Sequence, residues 1–164
     1  MAVDTSIIGR ETGRARVQVE RAPLANFAKA VKDDNAVYSD VNAAEAAGFD
    51  GVPAPPTFGF ALEFWGRYPE LQQGLKPVEG NPMFEVIGKL MQNGGLVLHG
   101  EQEFEYHRPI VAGDVLRSEG KVVDAYEKES KGKTMTFLVT ENVFKDAKTG
   151  DPVLTTRMNL IHRS

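Results

Sequence analysis

The stretch Thr57-Phe58-Gly59-Phe60-Ala61-Leu62-Glu63-Phe64-Trp65 decides the fold. Wound as a helix, it is apolar around almost its whole circumference, and a helix of that kind is expected to be buried on all sides. Pro55-Pro56 ahead of it suits a helix start, because proline's fixed φ fits the first turn and its missing N–H is not needed there. Some other layer must therefore cover residues 56–65.

The C-terminal part supplies that layer. After Gly95 the chain turns to long alternating segments with β-branched residues, the pattern of half-buried strands. Four are expected, at Leu96–His107, Val115–Glu127, Thr134–Phe144 and Val153–His162. Arg108-Pro109 with Gly113-Asp114, Ser130–Lys133 and Lys148-Thr149-Gly150-Asp151 separate them as turns, which predicts an antiparallel meander. Upstream, Val17 and Val19 alternate with polar neighbours and suggest a first strand near Arg14–Arg21. Pro23 opens a helix with Leu24, Phe27, Ala28 and Val31 on one face. A second short helix spans Val41–Ala47, with Asp40 as N-cap and Gly48 as terminator. Pro69 and Gly74–Pro82 mark a loop without a structural signal. The order is strand, helices, one very apolar helix, four strands. This predicts an α+β class: a single hot-dog domain over residues 1–164, its antiparallel five-stranded sheet wrapped around a long apolar central helix.

Composition narrows the function. A length of 164 residues fits one domain with a real core, and 41% hydrophobic against 26% charged residues excludes a disordered chain. A formal net charge of −4 gives no general attraction to nucleic acid or anionic membrane, so neither is expected as a partner. The absence of cysteine removes disulfides, thiolate nucleophiles and thiolate-bound metal. Met1–Arg10 lacks a long apolar run after basic residues and no stretch is long and apolar enough for a membrane span, so the cytoplasm is the expected location. The three histidines are scattered without metal-ligand spacing, and no metal or cofactor is expected.

The most informative polar stretch is Asp33-Asp34-Asn35-Ala36-Val37-Tyr38-Ser39-Asp40, followed by the alanine-rich Ala44–Phe49. It resembles the signature of the MaoC-type (R)-hydroxyacyl-thioester dehydratases, Asp-x-Asn-Pro-(Ile/Leu)-His-x-Asp before an alanine-rich helix and Gly-Phe. Asp33, Asn35, Asp40 and Gly48-Phe49 match; Ala36 replaces the proline, and Tyr38 stands at the catalytic histidine's place. Ala54-Pro55-Pro56-Thr57-Phe58 is similar to the lead-in to the central helix in the family's N-terminal, fatty-acid-synthase-like branch. Leu98-His99-Gly100-Glu101-Gln102-x-Phe104-x-Tyr106-His107-Arg108-Pro109 with Gly113-Asp114 is similar to that branch's second-strand signature. Each motif alone is weak, but the ordered set covers most of residues 5–163. Within the branch the chain most resembles the A/C-type subunits of the actinobacterial (3R)-hydroxyacyl-carrier-protein dehydratase.

The resemblance implies reversible dehydration of a (3R)-3-hydroxyacyl-CoA or acyl-carrier-protein thioester to the trans-2-enoyl form. In the family a histidine takes the C2 proton, and an aspartate with an asparagine positions and protonates the leaving oxygen. The implied site is Asp33, Asn35 and Tyr38, with Pro56, Thr57, Phe58, Gly59 and Leu62 around the acyl group. A base with a pKa near 6.5 suits neutral pH, whereas a phenol at about 10 needs a shift of about three units, or about 4 kcal/mol. Tyr38 is therefore expected to pack or hydrogen-bond rather than act as base. Active members also place a backbone N–H near the helix start to polarise the thioester carbonyl; Pro56 falls at that position and has none. The N–H groups of Thr57, Phe58 and Gly59 remain as candidate donors. The expectation is an acyl-binding subunit, paired as a homodimer or as a heterodimer with a MaoC-type partner carrying Asp and His.

Other readings stand beside this one. Asp33 and Asn35 can serve as helix caps instead of site residues. His99, on a predicted strand, is either structural or, with Asp33, the centre of a self-sufficient hydratase; His107 and His162 read as structural or peripheral. Lys121, Lys128, Lys131 and Lys133 form either a solvated face or a contact for an acidic carrier. A binding protein for acyl-CoA, with the chemistry lost, is the non-enzymatic alternative.

Overall fold

The computed structural model describes residues 3–164. β1 (Glu11–Gln18) begins and ends three residues earlier than the sequence suggests, with Ala15 and Val17 buried between partly exposed arginines. α1 (Arg21–Ala30) buries Leu24 and Ala28. It closes through Lys32, a side-chain-bearing residue at φ 61°, while Asp33 N donates to Ala28 O at 2.9 Å. α2 (Val41–Ala46) starts as Asp40 predicts: the Asp40 carboxyl accepts from Asn42 N at 2.8 Å and Ala43 N at 3.4 Å.

The long central helix is not what forms. Phe58–Phe60 makes a 3₁₀ turn and α3 is the single turn Leu62–Trp65. The expectation of burial on all sides is corrected too: Phe58, Gly59, Ala61 and Leu62 are buried, but Phe60, Phe64 and Trp65 are 48%, 77% and 58% exposed. Two close backbone approaches explain the short helix. At Gly59 an added Cβ would lie 2.6 Å from Leu154 Cδ2, and at Gly66 it would lie 2.2 Å from Gln18 O. The segment is pinned at both glycines, and Gln18 N donates to Gly66 O at 2.9 Å, tying its end to β1.

A second helix shares the covering task. α4 (Pro82–Met91) occupies a region the sequence reading left without a helix, capped by Asn81, whose side chain accepts from Met83 N at 3.0 Å. It buries Met83 and Val86. Among the described residues no helix is long and apolar enough to cross a membrane.

The remaining strands are β2 (Leu96–Tyr106), β3 (Val115–Ser130), β4 (Lys133–Asp146) and β5 (Pro152–Arg163). The sheet is antiparallel throughout, in the order β1-β3-β4-β5-β2. Only β3, β4 and β5 form the expected meander; β2 crosses over to pair with β5 at the far edge. Lys131 and Gly132, at φ 52° and 73°, make the two-residue β3–β4 turn, whose backbone twist matches that of the strands. Five antiparallel strands with helical cover on one face are the α+β hot-dog arrangement.

The core under this cover has two parts. Phe58, Ala61 and Leu62 pack with Leu24, Leu116, Phe144 and Leu154 at one end. Met83 and Val86 of α4 pack with Ile7, Val122, Ala125 and Leu138 at the other. Burying each leucine contributes roughly 1.5–3 kcal/mol. Between the two lie polar rungs of the sheet: Gly120 faces Asn142, Asn142 faces Thr156, and Thr140 faces Met158, which faces Gln102.

Candidate functional site

The site expected at Asp33, Asn35 and Tyr38 is built by short-range hydrogen bonds. Asp33 Oδ1 accepts from Asn35 N at 3.1 Å, and Asn35 Oδ1 accepts from Val37 N at 3.1 Å. These bonds set up the 3₁₀ turn Ala36–Tyr38. Asn35 thus caps the turn that follows it and Asp33 braces the bend ahead of it, whereas α1, the preceding helix they were alternatively expected to cap, closes through backbone bonds at Val31. Arg21 Nη2 donates to Ser39 O and holds the end of the turn against α1.

The turn delivers Tyr38 to the wall of a largely apolar cavity of about 440 Å³, shared with Phe49, Pro53, Pro56, Tyr106 and His107. On its other side Tyr38 lines a smaller cavity of about 110 Å³ with Asp33 and Asn35. Partial burial, and then the charge of Asp33, push the Tyr38 phenol above its ordinary value. Burial, and then the neighbouring Tyr38, push Tyr106 up to about 12. The Tyr106 hydroxyl donates to Pro56 O. At neutral pH both phenols hold their protons and can donate hydrogen bonds; neither is suited to accept a proton.

Tyr106 is the residue the sequence reading missed, although it stood inside the quoted second-strand signature. His107 also lines the larger cavity, its Nε2 lying 3.1 Å from Thr155 Oγ1. Arg108, beside it, is structural: it contacts Asp114 through both terminal nitrogens, at 2.8 and 3.1 Å, and Asp146 at 3.0 Å. This clamp explains why Arg-Pro and Gly-Asp occur together: Asp114 also accepts from Val111 N at 3.0 Å and closes the turn before β3.

The expected acyl-contact residues disperse. Pro56 lines the Tyr38 cavity, Phe58 and Leu62 lie in the first apolar cluster, Gly59 faces Leu154 and Phe104, and Thr57 is exposed. Of the candidate carbonyl-polarising amides, Phe58 N donates to Pro55 O at 2.9 Å and is spent. His99 sits on the edge strand β2 with its ring 5.4 Å from Phe60, and lines neither cavity that Tyr38 lines. His162 is buried, its Nε2 2.9 Å from Gly94 O. Two of the four lysines are engaged by the protein itself: Lys121 pairs with Glu141 at 3.3 Å, and Lys128 lies over the stacked rings of Tyr126 and Phe137.

Comparison with known proteins gives this geometry its setting. The profile of the FAS1-like dehydratase domain region matches residues 6–156. A UPF0336 protein of Saccharopolyspora erythraea is 33% identical over 164 residues, covering 99% of this chain and 93% of that protein. A solved structure described as a MaoC-like dehydratase is 26% identical with a TM-score of 0.68, covering 96% of this chain and 42% of that one. The C-terminally truncated HadBC (3R-hydroxyacyl-ACP dehydratase) complex of Mycobacterium tuberculosis is similar in fold, with a TM-score of 0.64 at 22% identity over 93% of this chain and 96% of that one.

Proposed function

The chain belongs to the FAS1-like dehydratase domain family, and from that premise we propose that it is the acyl-binding subunit of a (3R)-3-hydroxyacyl-thioester dehydratase whose proton-transferring Asp and His come from a partner. The observation that carries this reading is the phenol Tyr38, held protonated, at the motif position where the family's chemistry needs an imidazole near neutrality. The imidazole that does line its cavity, His107, comes from another strand end and lies 3.1 Å from Thr155 Oγ1. The substrate is a CoA or acyl-carrier-protein thioester, held with its acyl part beside Pro56 and the two phenols.

The surface supports pairing. β2 is an edge strand, and an unpaired edge offers backbone donors and acceptors to a second sheet. It also exposes Leu96 and Leu98, at 53% and 40%. The partner's β2 would lie alongside, joining the two sheets; one structure of similar fold, HadBC, is a complex.

The test is hydration of crotonyl- and longer enoyl-CoA by this chain alone, by a MaoC-type subunit carrying Asp-x-Asn-Pro-x-His alone, and by both together. Turnover is expected only in the mixture or strongly enhanced there, and is expected to survive Tyr38→Phe. Robust turnover by the isolated chain would overturn the partner requirement. His107→Ala then decides whether the imidazole lining the cavity is responsible. Stabilisation by acyl-CoA without turnover in any pairing favours the alternative of a binding protein.

A further inference from the structure

An open sheet has two edges, and each presents backbone groups to any strand that comes alongside. Here the edges are β1 and β2. In an antiparallel ladder a residue points its N–H and C=O to the same side, and successive residues alternate. On β1, past the irregularity between Glu11 and Gly13, the residues facing away from β3 are Arg14, Arg16 and Gln18. Two of these three are already engaged by the chain itself.

Arg16 is held by a side chain that does the work of a neighbouring strand. Its N–H donates to Gln72 Oε1 at 3.0 Å, and its C=O accepts from Gln72 Nε2 at 2.8 Å. Gln72 Nε2 also donates to Tyr68 O at 2.9 Å. Turned over, the amide would set its oxygen against two carbonyl oxygens, so its orientation is fixed. Arg16 holds the loop in return: its Nη1 donates to Leu71 O at 3.2 Å and to Gln73 O at 3.0 Å. Gln18 N donates to Gly66 O, and between these ties runs the 3₁₀ turn Pro69–Gln72. Arg14, the position left over, carries a charge paired with Glu11. One free position does not make a ladder. The far edge is different: among the described residues β2 has no backbone partner but β5.

We propose that residues 66–73 are a built-in plug for the β1 edge, leaving β2 as the single place where a second subunit can add its strand. Assembly then stops at two subunits, because a sheet that can grow on one side only closes after one addition. That a subunit pairs at β2 rests on the dehydratase reading; the closing of β1 rests on these hydrogen bonds alone.

The experiment compares the intact chain with Gln72→Met, which keeps the side chain's length and removes all three of its bonds. Gln73→Met, at an exposed side chain one residue on, is the control. By NMR, amide exchange at Arg16 is expected to run about five- to tenfold faster in Gln72→Met, the scale of one net hydrogen bond, with Val17, which faces β3, unchanged. In sedimentation velocity the wild type and Gln73→Met are expected to reach a limiting size as concentration rises. Gln72→Met is expected to grow into larger species, more so in high salt, where the charges of Arg14 and Arg16 are screened. Should Gln72→Met fail to fold, Arg16→Lys, which drops both guanidinium bonds to the loop, is expected to give the same two changes. A wild-type limit of one chain would overturn pairing at β2 without touching the plug. Equal exchange at Arg16 in wild type and variant, a wild type that grows beyond two chains, or a variant that keeps the wild-type size at every concentration would each overturn the proposal.

Discussion

The Tyr106 hydroxyl on β2 donates to the carbonyl oxygen of Pro56, joining the edge strand to the start of the covering segment across the cavity that Tyr38 lines. Tyr106→Phe deletes this bond at one end and is expected to cost about 1 kcal/mol in urea unfolding. Tyr38→Phe, whose hydroxyl makes no such bridge, is expected to cost less than about 0.5 kcal/mol.

The same pair predicts an alkaline response. Tyr106 is pushed up to about 12, in part by Tyr38, so Tyr38→Phe should lower the Tyr106 midpoint in an ultraviolet pH titration. Because the folded value lies above the unfolded one near 10, the neutral phenol's stabilising share is whole below about pH 10 and lost as pH rises towards the folded midpoint. A midpoint unchanged in the variant would mean that the phenols do not interact.

On the acid side Asp146 is the group to follow. The amides of Lys148 and Thr149 first, and the Arg108 guanidinium after them, hold its carboxyl below the usual range. Its contribution is therefore complete above about pH 4 and disappears as pH falls through the lowered folded value. Asp146→Asn should be less stable at neutral pH and show a shallower acid limb in thermal unfolding measured against pH.

Two glycines separate by what surrounds them. A methyl group at Gly66 meets backbone of β1, whereas at Gly59 it meets the end of Leu154 and the Phe104 ring. Gly66→Ala is expected to cost about 3 kcal/mol or to prevent folding, and Gly59→Ala about 1–2 kcal/mol, by chemical denaturation. Equal costs would mean that β1 yields as readily as a leucine side chain.

Lys32 gives a substitution in the stabilising direction. It ends α1 at φ 61°, a conformation that glycine adopts without a Cβ penalty, so Lys32→Gly should stabilise by about 0.5–1 kcal/mol in the same assay.

Strand periodicity and turn residues placed all five strands to within a few residues, because alternation on a half-buried sheet is written locally at Ala15-Arg16-Val17 and Thr136–Thr140. The neighbour of β2 was not legible, since pairing with β5 rather than β3 depends on contacts distant in sequence. Apolarity around Phe58–Trp65 was misread as burial because hydrophobic side chains facing outward look the same in sequence as those facing a core. α4 did carry a signal, Asn81-Pro82 ahead of Met83, Val86, Ile87 and Leu90, masked by the proline- and glycine-rich run before it. At the candidate site, Asp33, Asn35 and Tyr38 were singled out by motif, whereas Tyr106, far along the chain, meets Tyr38 only through the fold.

The polar band between Leu116 and Val122 divides the hydrophobic interior into two compartments with little greasy continuity across it. Such a molecule breathes unevenly: the α4 end can loosen while the Phe58–Leu62 end stays shut, so amide hydrogens of Val86–Leu90 should exchange with deuterium well before those around Leu116. A guest could then slip in at one end without melting the other.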